Sequence, residues 1–293
     1  MTETTTCFIA FAEIVLCSLT ITLNITILAK SGKGRLLGRH TTMLMVKVVY
    51  DLVSVLSALS YCTSMLIGIY EGSRNKAIFW TGNLFHSLLV SMAILNLFVG
   101  LDRLLAVTKP GKYFSYCPKV QKASIALMIT VCAAAFLCYA LTELPHGEQR
   151  IFSQYADPQV MHTIYSINCV LFAGNILVTV AFLISFWNFM KNRLEHGLSG
   201  SKTRNIANRI VIYQMLLEIV ILIIPTFLTS AAKLIFGLNL PDRWGPYVQA
   251  LYVAYTTMSA VVFWWNAPKK GSVQFKVSVA PANPSNPTSA KLE

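Results

Sequence analysis

The sequence predicts an all-α membrane protein: a seven-transmembrane helix bundle with its N-terminus outside and its C-terminus inside. Three observations predict it. Of 293 residues, 55% are hydrophobic and only 12% charged, roughly half the charge of a soluble domain, and the mean hydropathy is +0.58. Seven apolar stretches reach the length of about 20 residues that crosses a hydrocarbon core. Lysine and arginine are concentrated in alternate connections between those stretches. Such a composition excludes a disordered, collagenous or soluble α/β chain.

In chain order the predicted spans are 7–29, 41–70, 77–107, 123–142, 160–190, 206–236 and 245–267. Residues 1–6 form a short outer lead, 7–267 the transmembrane domain, and 268–293 a cytoplasmic tail. From about residue 280 the tail is rich in Pro, Asn and Ser and is expected to be disordered. The second, third and fifth spans approach 30 residues, about 45 Å of helix, so they must tilt or project beyond the bilayer. The first run has no basic residue ahead of it and no small-residue cleavage site behind a short core, so it reads as a span and not a signal peptide.

The net charge of +12 is explained by topology. Lys30, Lys33, Arg35, Arg39, then Lys109, Lys112, Lys119, Lys122, then Lys191, Arg193, Lys202, Arg204, Arg209, and finally Lys269, Lys270, Lys276, Lys291 all fall on one side. Only Arg74, Lys76, Arg150 and Arg243 fall on the other, among acidic residues. That asymmetry sets the orientation. A nucleic-acid binder would gather its basic residues on one soluble module, so no nucleic-acid partner is expected. The seven cysteines show no metal-ligand or redox spacing and do not form an even framework; most read as small buried hydrophobes.

Ionisable groups at membrane depth are costly and each carries two readings. Asp51 is either an ion or proton site, or a carboxylate neutralised by Lys47 one turn away. Glu218 is either a switch or a hydrogen-bonded carboxyl. Glu13, near the outer end, is expected to snorkel. Asn24, Asn96 and Asn175 are placed to bridge helices by hydrogen bonds. Pro225 removes one backbone bond and should kink the sixth span, as a packing bend or as a hinge.

The segment LNLFVGLDRLLAVTKP, residues 95–110, is the most informative. Asp102-Arg103 closes a long apolar helix and is followed by Pro110 and a basic loop. Arg103 is followed by more apolar positions, so it lies slightly inside the membrane and needs a partner.

These residues resemble the rhodopsin-type seven-helix G-protein-coupled receptors. Asp102-Arg103-Leu104 is similar to the acidic-Arg-aromatic motif, LNITILAK around Asn24 to the helix 1 asparagine motif, and VVYDLVSVL around Asp51 to the helix 2 aspartate. The spacings Asn24 to Asp51 and Asp51 to Arg103 fit that pattern. Pro225 resembles the helix 6 proline, and Asn266-Ala267-Pro268 is a degraded helix 7 Asn-Pro motif. The departures are the lack of the outer disulfide, of a helix 4 tryptophan and of a helix 5 proline. Together with LDRLLAVTKPGKYF and FAGNILVTVAFLISFWNFMKNR they resemble the nematode serpentine chemosensory receptors, class BC first among them.

The resemblance implies a plasma-membrane chemoreceptor, in the sensory ending of a neuron, that passes binding of an outer small molecule to a heterotrimeric G protein. It implies no enzyme activity and no cofactor. Asp102, Arg103, Asn24, Asp51, Pro225, Asn266 and Pro268 would serve activation and coupling, with Arg103 held by Asp102 at rest. Phe85, His86, Phe227, Tyr252 and Tyr255 fall at comparable outer depth and are candidates to line an apolar pocket. The alternative is an ion-coupled secondary transporter using Asp51, Glu218 and Lys47, against which stands the lack of internal repeats. A retinal protein would need a lysine in 245–267, and there is none.

Overall fold

A computed structural model describes residues 3–31, 42–71, 76–143, 151–195, 202–236 and 247–266. It contains α1 (Glu3–Lys30), α2 (Thr42–Glu71), α3 (Lys76–Thr108), α4 (Pro110–Leu141) and α5 (Pro158–Glu195). A sixth rod, α6, runs from Lys202–Glu218 through a π-helical turn, Ile219–Ile223, into Ile224–Phe236; α7 is Tyr247–Asn266. The architecture is a seven-helix bundle. Six of these helices are long and apolar enough to cross a membrane. The seventh, α7, is diluted by Gln249, Thr256, Thr257 and Ser259, all on its buried side.

α3 is the axis of the bundle: 67% of its spanning window is buried, against 17% for α4. α2, α4 and α5 all pack on α3, whereas α4 rests on almost nothing else. α7 closes the ring between α1 and α6. Gly100 permits this crowding, since a Cβ there would come within 2.8 Å of Met215 Cε and 2.9 Å of Val178 Cγ1.

Burial along α1 shows what lipid does to helix patterning. Ala10, Glu13, Cys17, Thr20, Asn24, Ile27 and Ser31 are buried, spaced alternately three and four apart, while Phe8, Phe11, Val15 and Ile25 face outward. The inner stripe is the more polar one. Lipid tails are as apolar as leucine, so helices associate through close packing and hydrogen bonds. Thr20 and Thr257 accordingly join α1 to α7 through their hydroxyls at 2.7 Å. Gln214 donates to Ser259 at 2.8 Å across α6 and α7, and Asn83 to the Phe136 carbonyl at 3.1 Å across α3 and α4.

Three expectations need correcting. The segment expected as a basic loop before a fourth span at 123 is helical from Pro110. Proline is suited to the first helical turn, where its missing N–H has no acceptor to lose, so a single residue, Lys109, separates α3 from α4. Glu13 does not snorkel: it is 1% exposed, because its stripe is the one that α2 and α7 cover. Helix α1 also starts within the expected outer lead, at Glu3. At Pro225 the helix ladder is altered locally, as a proline requires. The turn before it widens, with the Ile224 N–H reaching back to the Ile219 carbonyl, which makes room for a ring that would clash with the preceding turn. Pro268 and the tail to residue 293 lie outside the described residues.

Candidate functional site

A cavity of about 190 Å³ opens among α2 through α7, at the end of the bundle that the loop charges predict to be outer. Tyr61, His86, Tyr139, Phe172 and Tyr252 give it aromatic walls, and Leu222 and Thr226 of α6 line it directly. Its roof is formed by the residues that lead into α5, Ile151 and Ser153 among them. There a short 3₁₀ turn, Phe152–Gln154, dips into the bundle and buries Phe152 completely.

Aromatic packing and a backbone hydrogen bond hold the roof. The Phe152 ring stacks on His86 at 4.7 Å and 20°, meets Tyr139 edge-on at 5.1 Å, and lies 5.9 Å from Phe79. Its N–H donates to the Tyr61 hydroxyl at 2.8 Å. Gly82 makes the fit: a Cβ there would stand 2.7 Å from Phe152 Cβ. A lone antiparallel bridge, Glu143 to Ala156, ties the two ends of the loop. No disulfide joins any of the cysteines. In this loop burial, ahead of the Glu143 charge, pushes the Tyr155 phenol up.

Below the cavity lies a polar layer. Lys47 Nζ is 3.0 Å from Asp51 Oδ1, both buried, and Lys47 also sits over the Tyr255 ring at 5.1 Å. The contact is the Lys47 pairing expected in one of the two readings of Asp51. Asn96 donates to the Tyr255 hydroxyl at 3.3 Å, joining α3 to α7. Glu218 is buried beside Asn96 and Asn175, one residue before the π turn. Its Oε1 has no partner, nor has Asn175 Oδ1.

At the other end of α3, Arg103 is fully buried. Its Nε donates to Asp102 Oδ2 at 3.0 Å, one of its terminal nitrogens donates to the same oxygen, and that nitrogen also reaches the Tyr113 hydroxyl at 3.0 Å. Tyr113 in turn donates to Asp102 Oδ1 at 3.0 Å. The three side chains close a ring. Burial holds the Tyr113 phenol well above its ordinary range although Arg103 pulls the other way, so it stays a neutral donor. The other terminal nitrogen of Arg103, Nη1, has no partner.

Of the five residues expected around a pocket, His86 and Tyr252 line the cavity. Phe85 stands behind them, stacked on Tyr61 and edge-on to Tyr252. Tyr255 lies in the polar layer, and Phe227 is 41% exposed on the outside of α6. Among the coupling candidates, Asp102 and Arg103 are together. Asn24 is buried with its Nδ2 unpartnered, Asp51 belongs to the middle layer, Pro225 follows the π turn, and Asn266 bonds back to its own helix at Val262. Sequence reasoning missed Phe152, Gly82, Gln249 and Tyr113. Only Tyr113 had a local signal: it lies ten residues after Arg103, in a stretch expected to be loop.

Residues 2–141 match the family model described as serpentine type 7TM GPCR chemoreceptor Srbc. The match covers α1 through α4, including the Asp102-Arg103 ring and the α2 and α3 walls of the cavity. It agrees with the resemblance to nematode serpentine chemoreceptors carried by the sequence motifs. No curated protein matches the chain.

Proposed function

We propose that this serpentine-type membrane protein is a chemosensory G-protein-coupled receptor, with the N-terminus outside, residing in the plasma membrane of a sensory ending. The outer cavity holds the small molecule, and the Asp102-Arg103-Tyr113 ring is the element released toward a cytoplasmic heterotrimeric G protein. The observation that carries the reading is the match of residues 2–141 to a chemoreceptor family, on a bundle with a cavity at the opposite end from a buried arginine.

The geometry supports a route between them. Leu222 sits in the π turn of α6 and lines the cavity, and the Tyr165 hydroxyl ties α5 to the Thr226 carbonyl at 2.9 Å. A π turn is a weak point in a helix ladder and frequently marks a functional bend. Glu218 lies directly beneath it. A ligand that fits one placement of Leu222 and Thr226 better than another therefore biases the lower half of α6, provided it binds the two packings with different affinity. Release at the cytoplasmic end requires that Arg103 exchange Asp102 and Tyr113 for a partner, since guanidinium cannot shed its charge. In the same reading the Lys47–Asp51 pair is structural, and the protein moves no solute.

The test is guanine-nucleotide exchange on a G protein by the full chain in membranes, without added ligand. Asp102→Asn removes the local counter-charge and should raise basal exchange several-fold. Combining it with Arg103→Ala should return exchange to background at equal surface level. Unchanged exchange in both variants would leave Asp102-Arg103 as a mere interface marker. Solute flux in proteoliposomes would restore the transporter reading.

A further inference from the structure

The chemistry of the cavity wall is narrower than its aromatic lining suggests, and resting on the reading of that cavity as the ligand site, it defines a ligand class. Among the described residues no Asp, Glu, Lys or Arg lines it. A charged ligand would be buried there without a counter-ion, at a cost of several kcal/mol. The volume of about 190 Å³ compares with roughly 150 Å³ for a dry cavity that accepts benzene, so the occupant is small.

Three wall residues, Gln249, Asn168 and Tyr252, each carry a buried polar atom without a partner, which is out of keeping with an apolar pocket. Gln249 is 2% exposed, stands on the cavity wall, and its Oε1 has no partner. Its other end is fixed by a directed chain. The Cys62 S–H donates to Glu13 Oε2 at 2.9 Å, and the Gln249 Nε2 donates to the same sulfur at 3.1 Å. A thiol has one proton to give. With that proton spent on Glu13, the sulfur can only accept, and of the two ends of an amide only the NH₂ can donate to it. The amide is therefore held with its nitrogen toward α2 and its carbonyl oxygen left over. A second unpartnered carbonyl oxygen, Asn168 Oδ1, belongs to the α5 wall of the same cavity. Buried acceptors left without a donor are costly; both carbonyl oxygens lack a proton donor, and the unpartnered Tyr252 hydroxyl on the same wall can accept one as well.

We propose that the cavity takes a neutral, mainly apolar molecule of about the size of a substituted benzene that carries one hydroxyl or N–H group and donates it to Oε1 of Gln249. The Glu13–Cys62–Gln249 chain sets this preference by fixing which end of the amide faces the ligand. An otherwise similar ether or hydrocarbon fills the same volume but leaves the acceptor unmet.

The experiment uses the full chain in lipid nanodiscs, with benzyl alcohol, benzyl methyl ether, toluene and benzylammonium as probes. Binding is read by saturation-transfer NMR, with empty nanodiscs subtracted for lipid partitioning. The alcohol should bind about tenfold more tightly than the ether, the worth of one well-made hydrogen bond. Gln249→Met should erase that ratio and leave toluene binding in place. Cys62→Ala, which frees the amide to turn, should narrow the ratio, and it decides the matter if Gln249→Met does not fold. Equal binding of alcohol and ether by the parent chain would overturn the ligand class while leaving the cavity as a binding site. Preferential binding of benzylammonium would overturn neutrality. Failure of all four probes to bind would overturn the class and the cavity reading together.

Discussion

The two ends of α3 are held by opposite means. At the end predicted to be outer, Phe79, Gly82 and His86 grip the Phe152 plug through ring faces and a missing Cβ, helped by a hydrogen bond from the Phe152 N–H to Tyr61 of α2. At the end predicted to be inner, Asp102 and Arg103 close a ring with Tyr113 in which the contacts are charged or directed hydrogen bonds. The outer end is therefore sensitive to volume and the inner end to charge and proton donors. A cavity that must admit different occupants is better framed by shape, whereas a buried guanidinium tolerates no arrangement that leaves it unpaired. The difference also says where each end yields: the outer one by repacking, the inner one by exchange of partners.

The comparison is broken most severely by Phe152→Ala. Deleting a fully buried aromatic ring costs about 3–5 kcal/mol, so the thermal midpoint in detergent should fall by several degrees. Gly82→Ala should act in the same direction at about 1–3 kcal/mol, the range for overpacking, because the new methyl meets Phe152 Cβ. If Gly82→Ala leaves the midpoint unchanged, the plug is not seated as described.

At the inner end the substitution that changes no volume matters more. Tyr113→Phe keeps the ring and removes the hydroxyl that both accepts from Arg103 and donates to Asp102. A hydrogen bond to a charged group is worth about 1.5–3 kcal/mol, part of which Asp102 and Arg103 retain between themselves. Basal nucleotide exchange should rise, by less than in Asp102→Asn, with no change in thermal midpoint comparable to that of Phe152→Ala. A response no greater than in the parent would remove Tyr113 from the ring's function. The smallest effect expected is none at all. With no disulfide between the cysteines, mild reductant should leave both the midpoint and the basal exchange as they were. A fall in either would require a disulfide and a different roof.

Much of the fold is legible in the chain because lipid imposes a length rule. A run of about 20 apolar residues is a span wherever it occurs, so the span positions follow within a few residues except at α4. There the charge of Lys112, Lys119 and Lys122 hid a helix that Pro110 starts and that extends beyond the apolar part. The facing of each helix is not legible in the same way. On α1 the buried stripe is Glu13, Cys17, Thr20 and Asn24 and the exposed one is phenylalanine and valine, the reverse of what water would select. Apolarity therefore marks which segments are inserted but says nothing about which side meets a neighbour.

The sites divide along the same line. Asp102 and Arg103 are adjacent in sequence, and Lys47 and Asp51 one helical turn apart, so short-range geometry was enough to pair them. His86 and Tyr252 could be placed at the cavity's depth by counting turns, but the same count placed Phe227 and Tyr255 there too, because depth does not specify rotation about the helix axis. The plug of Phe152 on Gly82, the thiol chain from Glu13 through Cys62 to Gln249, and the placement of Tyr113 against Arg103 were decided only by tertiary structure. Insertion, charge asymmetry and the local charge pairs are properties of segments, and the sequence by itself determined them. Which polar atoms end up satisfied, and which are left facing an empty cavity, depends on how seven rods rotate against one another.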